Sequence, residues 1–297
     1  MPESLLSQFS EALSGLAAGA RGFLAEIRTK QGHQLSGVLW KPDAVVVSEQ
    51  ALPDAADFEV SVAETTSNAR IAGRDEGTNV AVLKLEKSLG GSLPLQGVPR
   101  VGALALALGM GANGVSARLS LIRSVGPAWQ SLAGGTIDHR IILDARLGAA
   151  EEGGPVLGAD GTIYGIATRG VRRQSLVIPA ATVDRAIGVL LEKGSIERGW
   201  LGVSLHPVAL PEALRPNDSQ PVGLMVMEVV ADGPAAKAGV LAGGILLSAG
   251  GAAATKPGTI ARQLGANSIG KKLEITLARA GAVLTREAVI AARTPHG

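Results

Sequence analysis

Ser36-Gly-Val-Leu-Trp40 and Asp43-Ala-Val-Val-Val-Ser-Glu-Gln-Ala-Leu52 carry two short apolar runs, Ser36–Trp40 and Ala44–Val47, with Lys41, Pro42 and Asp43 between them. Such runs bounded by turn residues read as strands. The same pattern fills the chain from about Gly22 to Ile178, in Phe58–Val62, Val80–Leu85, Ala103–Leu108, Ile141–Leu143 and Ile163–Ala167. Runs spaced at roughly 8–15 residues, with Gly, Pro and Asp between them, argue for an all-β barrel or sandwich. No alternation with long helices is present, which argues against a doubly wound sheet. The span of about 160 residues is enough for two small barrels packed together.

Outside this span the period changes. Leu5, Phe9, Leu13, Leu16, Ala20 and Phe23 follow helical spacing with Ser and Glu between them, which predicts an amphipathic helix. Such a helix docks on the body or on a neighbouring subunit. After Pro179, the positions Val183, Ala186, Ile187, Val189, Leu190 and Leu191 predict a second helix that stops at Gly194. The last hundred or so residues mix strands (Leu201–Leu205, Gly223–Val229, Leu273–Ala278, Val283–Ile290) with short helices near Pro234 and over Pro257–Leu264.

The 297 residues contain no cysteine, so disulfides, thiolate nucleophiles, zinc–thiolate sites and iron–sulfur clusters are excluded. A hydrophobic content of 46% with 18% charged residues excludes a disordered chain. A net charge of +2 gives no support to a nucleic-acid binder. Residues 1–195 hold 18 basic and 19 acidic side chains, against 10 and 7 in residues 196–297. The mild positive bias of the tail fits either an anionic ligand group or an ordinary solvated surface. Ala238–Thr255 is uncharged but interrupted by five glycines, so it reads as a turn-broken globular segment, not a membrane span. Glu3 and Glu11, with no early Lys or Arg, are wrong for a signal peptide.

Residues 22–193 resemble the chymotrypsin-type protease domain of HtrA (Deg) proteins, and residues 198–297 resemble their PDZ domain. The first likeness rests on the opening pair of runs, on Asp75-Glu-Gly-Thr-Asn-Val-Ala-Val-Leu-Lys84, and on Asp144-Ala-Arg-Leu-Gly-Ala-Ala-Glu-Glu-Gly-Gly-Pro155 with Gly165-Ile-Ala-Thr168. The second rests on Arg198-Gly-Trp-Leu-Gly-Val203, Gly233-Pro-Ala-Ala-Lys-Ala-Gly239 and Gly243-Gly-Ile-Leu-Leu247, with Gly244 where the family usually has Asp. The resemblance implies a mainly β chain of two six-stranded chymotrypsin-like β-barrels followed by a small α+β PDZ domain. It divides the chain into an N-terminal helix (1–21), a protease-like domain (22–181), a linker helix (182–197) and a PDZ domain (198–297).

It also implies where a catalytic triad would stand: Gln50 at the histidine position, Asn79 at the aspartate position and Glu152 at the serine position. A Gln amide is no base near neutral pH, Asn carries no charge to stabilise an imidazolium, and Glu places a negative charge where an oxyanion must develop. The expectation is a pseudoprotease, not an enzyme. An alternative is a residual hydrolase using a non-standard site around Glu152, for instance paired carboxylates from Glu49, Glu151 and Glu152. Solvated loop acids are the simpler expectation for Glu151 and Glu152. Arg169, Arg172 and Arg173 either hold one of these acids and close the cleft or form a solvated basic loop. His33, His139, His206 and His296 fall outside the family's catalytic positions, and no His-x-x-x-His spacing supports a metal; no cofactor is expected. Gly153-Gly154-Pro155 is read as a tight turn needed for backbone reasons.

By resemblance, Trp200, Leu201, Gly202 and Val203 form a carboxylate-holding loop, and Leu205, Ile260 and Leu264 line a peptide groove. The expected function is an adaptor, chaperone-like holder or regulatory subunit in bacterial protein quality control. Expected partners are C-terminal or unfolded peptide segments and an active HtrA relative, in a homotrimer, without nucleic acid or a membrane span. The location expected as written is cytoplasmic, or the cell envelope by family if a leader has been removed.

Overall fold

The computed structural model describes residues 4–91, 93–131, 133–170, 174–216, 220–265 and 268–292. Arg172, Arg173 and His296 therefore lie outside the described residues. The chain divides into two compact units, Met1–Trp129 with Gly135–Ile196, and Gln130–Gly134 with Glu197–Gly297.

The first unit begins with α1 (Leu5–Gly19), whose N-cap Ser4 accepts a hydrogen bond from the Ser7 N–H. Leu13, Leu16 and Ala17 hold the helix to the body, while Leu5 and Leu6 stay exposed. Six strands then close the first barrel: β1 (Leu24–Thr29), β2 (Gln34–Lys41), β3 (Ala44–Ser48), β4 (Phe58–Val62), β5 (Thr65–Asp75) and β6 (Val80–Leu85). The opening pair of runs forms β2 and β3, antiparallel with Val38 opposite Val46.

The second barrel is closed by β7 (Leu104–Gly111), β8 (Gly114–Gly126), β11 (Arg140–Leu143), β12 (Pro155–Gly158), β13 (Ile163–Arg169) and β14 (Ser175–Pro179). The two-residue strands β9 (Trp129–Gln130) and β10 (Thr136–Ile137) stand between β8 and β11. Both barrels contain six antiparallel strands, and closure removes the free edges that a six-stranded open sheet would expose.

After β14 comes α2 (Ala180–Lys193), ended by Gly194 in the left-handed conformation at φ 74°. Val183, Ala186, Ile187 and Leu190 are buried in the same core as Val45, Val82 and Leu83 of the first barrel. The Trp40 indole N–H donates to Asp184 at 2.6 Å, which fixes the helix's rotation. This helix is an integral part of the first unit.

The second unit contains β15 (Gly199–Trp200), β16 (Val203–Ala209), β17 (Val222–Val229), α3 (Pro234–Lys237), β18 (Ile245–Ala249), β19 (Ala252–Ala253), α4 (Pro257–Ala261), β20 (Lys272–Arg279), β21 (Ala282–Val289) and β22 (Ala291–Ala292). Its main sheet runs β16-β17-β18-β20-β21, so β16 is an edge strand. Leu201, Leu224, Val226, Leu246, Ile260, Ile275 and Leu277 are among its core. No helix among the described residues is long and apolar enough to cross a membrane.

Candidate functional site

Four separate segments converge on Glu152. The end of β3 supplies Ser48, and the following 3-10 turn Glu49–Ala51 carries Gln50. The turn before β6 supplies Asn79. There the Asp75 carboxylate accepts from the Gly77 and Thr78 N–H groups and the Thr78 hydroxyl, and Asn79 takes a left-handed φ of 56°. Asn tolerates that backbone because its short polar side chain bonds locally. The end of β13 brings Thr168 and Arg169.

Glu152 Oε1 accepts from the Ser48 hydroxyl (2.7 Å), Gln50 Nε2 (2.8 Å) and the Thr168 hydroxyl (2.9 Å). Its Oε2 accepts from the Arg169 backbone N–H (3.0 Å) and from Arg169 Nε (2.9 Å). A carboxylate offers about four lone-pair sites, so this one is saturated. Asn79 Nδ2 donates to Thr168 Oγ1 (2.6 Å) and Ser48 Oγ (3.1 Å), and its Oδ1 accepts from the Gln50 N–H (2.8 Å). Gln50 Nε2 also reaches the Arg169 carbonyl at 2.9 Å. Gln50, Asn79 and Glu152 thus belong to one hydrogen-bonded network joining the two barrels.

The expectation that Glu151 and Glu152 are solvated is overturned, since they are 1% and 2% exposed. The ion pair with Arg169 is the reason burial is tolerated for Glu152, with the charge shared between a guanidinium and neutral donors. Glu151 faces away from Glu152 into its own set of partners: the Ser116 hydroxyl (2.6 Å), the Gly148 N–H (2.6 Å) and Arg118 Nε (3.4 Å). Burial alone would raise its pKa, but Ser116, Gly148 and Arg118 together hold it below the ordinary glutamate value. Glu49 pairs with Arg74 instead (3.1 Å), so the three acids have separate partners and form no carboxylate pair.

The Gly153-Gly154 turn has a backbone explanation. Gly153 has φ 82°, and a Cβ there would lie 2.5 Å from the Ser36 carbonyl. A Cβ on Gly154 would lie 1.9 Å from the Leu108 carbonyl. Ser36 clamps the same loop: its hydroxyl donates to the Ala150 carbonyl (2.6 Å) and accepts from the Met110 N–H (2.7 Å). Ser36, Ser48 and Thr168 carry no signal as site residues in the sequence beyond being polar residues at strand positions in otherwise apolar runs.

The histidines take other roles. His33 sits in the β1–β2 turn against Thr29, His206 is exposed on β16, and His139 lies beside Asp138. No group of three or more metal-ligating side chains occurs among the described residues. A cavity of about 400 Å³ lies beneath α1, between Gly15, Leu16, Gly19 and Phe23 on one side and Leu157 and Asp160 on the other. It shares no lining residue with the Glu152 network.

In the second unit, the predicted groove residues share one cluster but divide in role. Leu201 and Ile260 are buried core (2% and 3% exposed), whereas Val203, Leu205 and Leu264 are half-buried beside it. The Leu201 carbonyl accepts from the Ala235 N–H and the Gly202 carbonyl from the Val230 N–H, both at 2.9 Å. In a trans peptide the N–H points opposite to the C=O, so the Gly202 and Val203 N–H groups face away from α3 and from the end of β17. Gly202 has φ 76°, a conformation that favours glycine, and the Trp200 ring lies 3.1 Å from where its Cβ would be, so a side chain there would also press on that ring.

Comparison with known proteins adds to this geometry. The PDZ domain family profile matches residues 199–289. The chain is 29% identical over 271 residues to a probable periplasmic serine endoprotease DegP-like of Brucella suis, covering 85% of this chain and 52% of that protein. A protein of the same description from Rhizobium meliloti is 29% identical over 274 residues, with 88% and 54% covered. The chain therefore spans about half the length of the curated relatives it matches. Among solved structures, the HtrA-type protease AlgW with tripeptide superposes with a TM-score of 0.74 at 25% identity, covering 95% of this chain and 98% of that one. The serine endoprotease from Yersinia pestis gives a TM-score of 0.75 at 22% identity, with 99% and 100% covered, and shows the shared fold.

Proposed function

The chain belongs to the HtrA/DegP family, with a chymotrypsin-like protease fold and a PDZ domain, and on that premise we propose that it is a catalytically inactive, peptide-binding member. One observation carries the inactive half of this reading. A saturated, ion-paired carboxylate, Glu152, stands at the position the family resemblance gives to the nucleophile.

Acyl transfer in this fold needs a hydroxyl nucleophile, a base to take its proton and a carboxylate to orient that base. Gln50 donates to Glu152 and has no basic nitrogen with which to accept a proton. Asn79 spends its amide on Ser48 and Thr168. Removing even one triad member costs about 10⁴–10⁶ in rate. The buried anion opposes the developing oxyanion as well.

Peptide binding is supported by the outward N–H groups of Gly202 and Val203 and by the unpaired edge of β16. A peptide could add there as a strand, its terminal carboxylate held by those N–H groups and its last side chain among Val203, Leu205 and Leu264. The protein would then work as an adaptor, a holder of unfolded segments or a regulatory subunit of an active relative.

The test has two arms. Casein hydrolysis and labelling by a serine-directed fluorophosphonate should both be absent, while a C-terminal peptide library should give saturable binding that a Trp200–Val203 loop variant loses. Turnover that disappears in Glu152→Ala would instead establish a hydrolase built on that residue. Absence of any peptide ligand would end the binding reading.

A further inference from the structure

We infer that the pocket beneath α1 binds small apolar amines, with Asp160 taking the cationic nitrogen and the helix closing over the hydrocarbon body. The site lies within the first unit and is independent of the peptide-binding reading above.

The pocket exists because α1 spans a gap that it does not fill. No residue of the helix is fully buried, and Leu13, Leu16 and Ala17 are only partly covered where it meets the body. Beside Leu16 stands Gly15, with no atom within 4 Å of where its Cβ would be. The β12–β13 turn comes up to the same stretch of helix: the Cβ position of Gly161 lies 3.7 Å from Leu16 Cδ2. Between helix and turn about 400 Å³ is left open, lined by the buried Leu157 and Phe23 and by Pro94. Ligand pockets run from about 300 to 1,000 Å³, so this one suits a molecule of one ring and a short chain.

The lining selects the kind of molecule. Asp160 is its charged residue, every other one being Gly, Ala, Leu, Phe or Pro. Asp160 Oδ1 accepts from the Thr162 N–H at 3.0 Å, and the Thr162 N–H and hydroxyl hold the carboxyl below the ordinary aspartate value. It is therefore an anion at neutral pH. Asp160 is exposed, and no Lys, Arg or His of the described residues forms an ion pair with it. The Tyr164 hydroxyl stands close by, since it and Asp160 Oδ1 lie 2.4 and 2.8 Å from the point that a Gly158 Cβ would occupy. Burial, and then the Asp160 charge, raise the pKa of that phenol; Arg100 acts on it in the opposite sense.

An ammonium on an apolar body meets both halves of such a pocket, supplying the missing counter-ion and filling the apolar space. An alcohol of the same shape fills the space without the ion pair, and a carboxylate meets like charge. A divalent cation would find a single carboxylate, too few oxygen ligands to hold it.

The experiment titrates the isotope-labelled full chain with phenethylamine, phenethyl alcohol and hydrocinnamate while following backbone amide resonances. Shifts caused by the amine should concentrate in α1 and in the β12–β13 turn. Affinity should fall in the order amine, alcohol, acid by about two- to fivefold per step, with a smaller spread at high salt. Asp160→Asn should bring the amine down to the affinity of the alcohol. Gly15→Leu places a side chain in the open space at a position where a helix tolerates it, and should abolish binding of all three. Equal affinities, or an amine preference that survives Asp160→Asn, would overturn the inference. So would binding that survives Gly15→Leu, amine shifts lying outside α1 and the turn, or no shift with any probe.

Discussion

The cleft around Glu152 and the groove beside β16 are opposites in how they treat their own polar groups. In the cleft, five donors close on one carboxylate, and little is left to offer a substrate. In the groove, two N–H groups face outward and an edge strand stays unpaired. A region whose hydrogen bonds are satisfied internally is a structural joint, while one with unmet donors beside apolar walls is a surface waiting for a ligand. The lesson is that a binding site is identified less by which residues are present than by which of their valences remain open.

The contrast breaks most visibly at Glu152. Glu152→Ala strands the buried Ser48 and Thr168 hydroxyls and removes the Arg169 ion pair, so urea unfolding should show a loss on the order of 3 kcal/mol. Peptide affinity should be unchanged. A loss below about 0.5 kcal/mol would mean that the network contributes nothing to the joint.

The complementary change is Gly202→Ala in the groove. The left-handed φ and the nearby Trp200 ring make alanine costly by about 1–3 kcal/mol locally. Tilting the loop should lower peptide affinity by about tenfold or more, with the barrels' unfolding unaltered. Retained affinity would show that the carboxylate is held elsewhere.

A smaller effect comes from pH. Because Glu151 titrates below its ordinary value in the folded chain, its contribution to stability is complete above the ordinary glutamate range and is lost as pH falls through the lowered folded-state value. Asp144 acts in the same direction, held down by the Leu121 N–H and the Ser120 hydroxyl. The unfolding midpoint should therefore fall on acidification, and Glu151→Gln should flatten that fall. An unchanged slope in the variant would show that Glu151 is not a source of the acid sensitivity.

The two barrels were legible because strand length, turn residues and spacing are local properties, and β2 and β3 follow their runs closely. The convergence of positions 50, 79 and 152 was legible only through family resemblance, as no local pattern links residues a hundred apart. Burial of Glu151 and Glu152 was not legible, since acids are rarely buried and the donors that permit it come from Ser48, Ser116, Thr168 and Arg169 on distant strands. Nor could composition separate groove from core. Leu201 and Ile260 read like Leu205 and Leu264, and the difference is burial, the first two inside the core and the second two half-buried against it.

The Ser48–Gln50–Asn79–Glu152–Arg169 network also bears on which substitutions the site tolerates. Each member is matched to the others, so exchanging any one of them alone strands its neighbours. Gln50→His removes an amide that spans Glu152, Thr168 and the Arg169 carbonyl, and Glu152→Ser leaves the Arg169 side chain without its counter-ion. Each such exchange is therefore uphill in stability, because it leaves buried partners unmet. The network acts as an interlock, in which each side chain resists exchange through the partners it would leave.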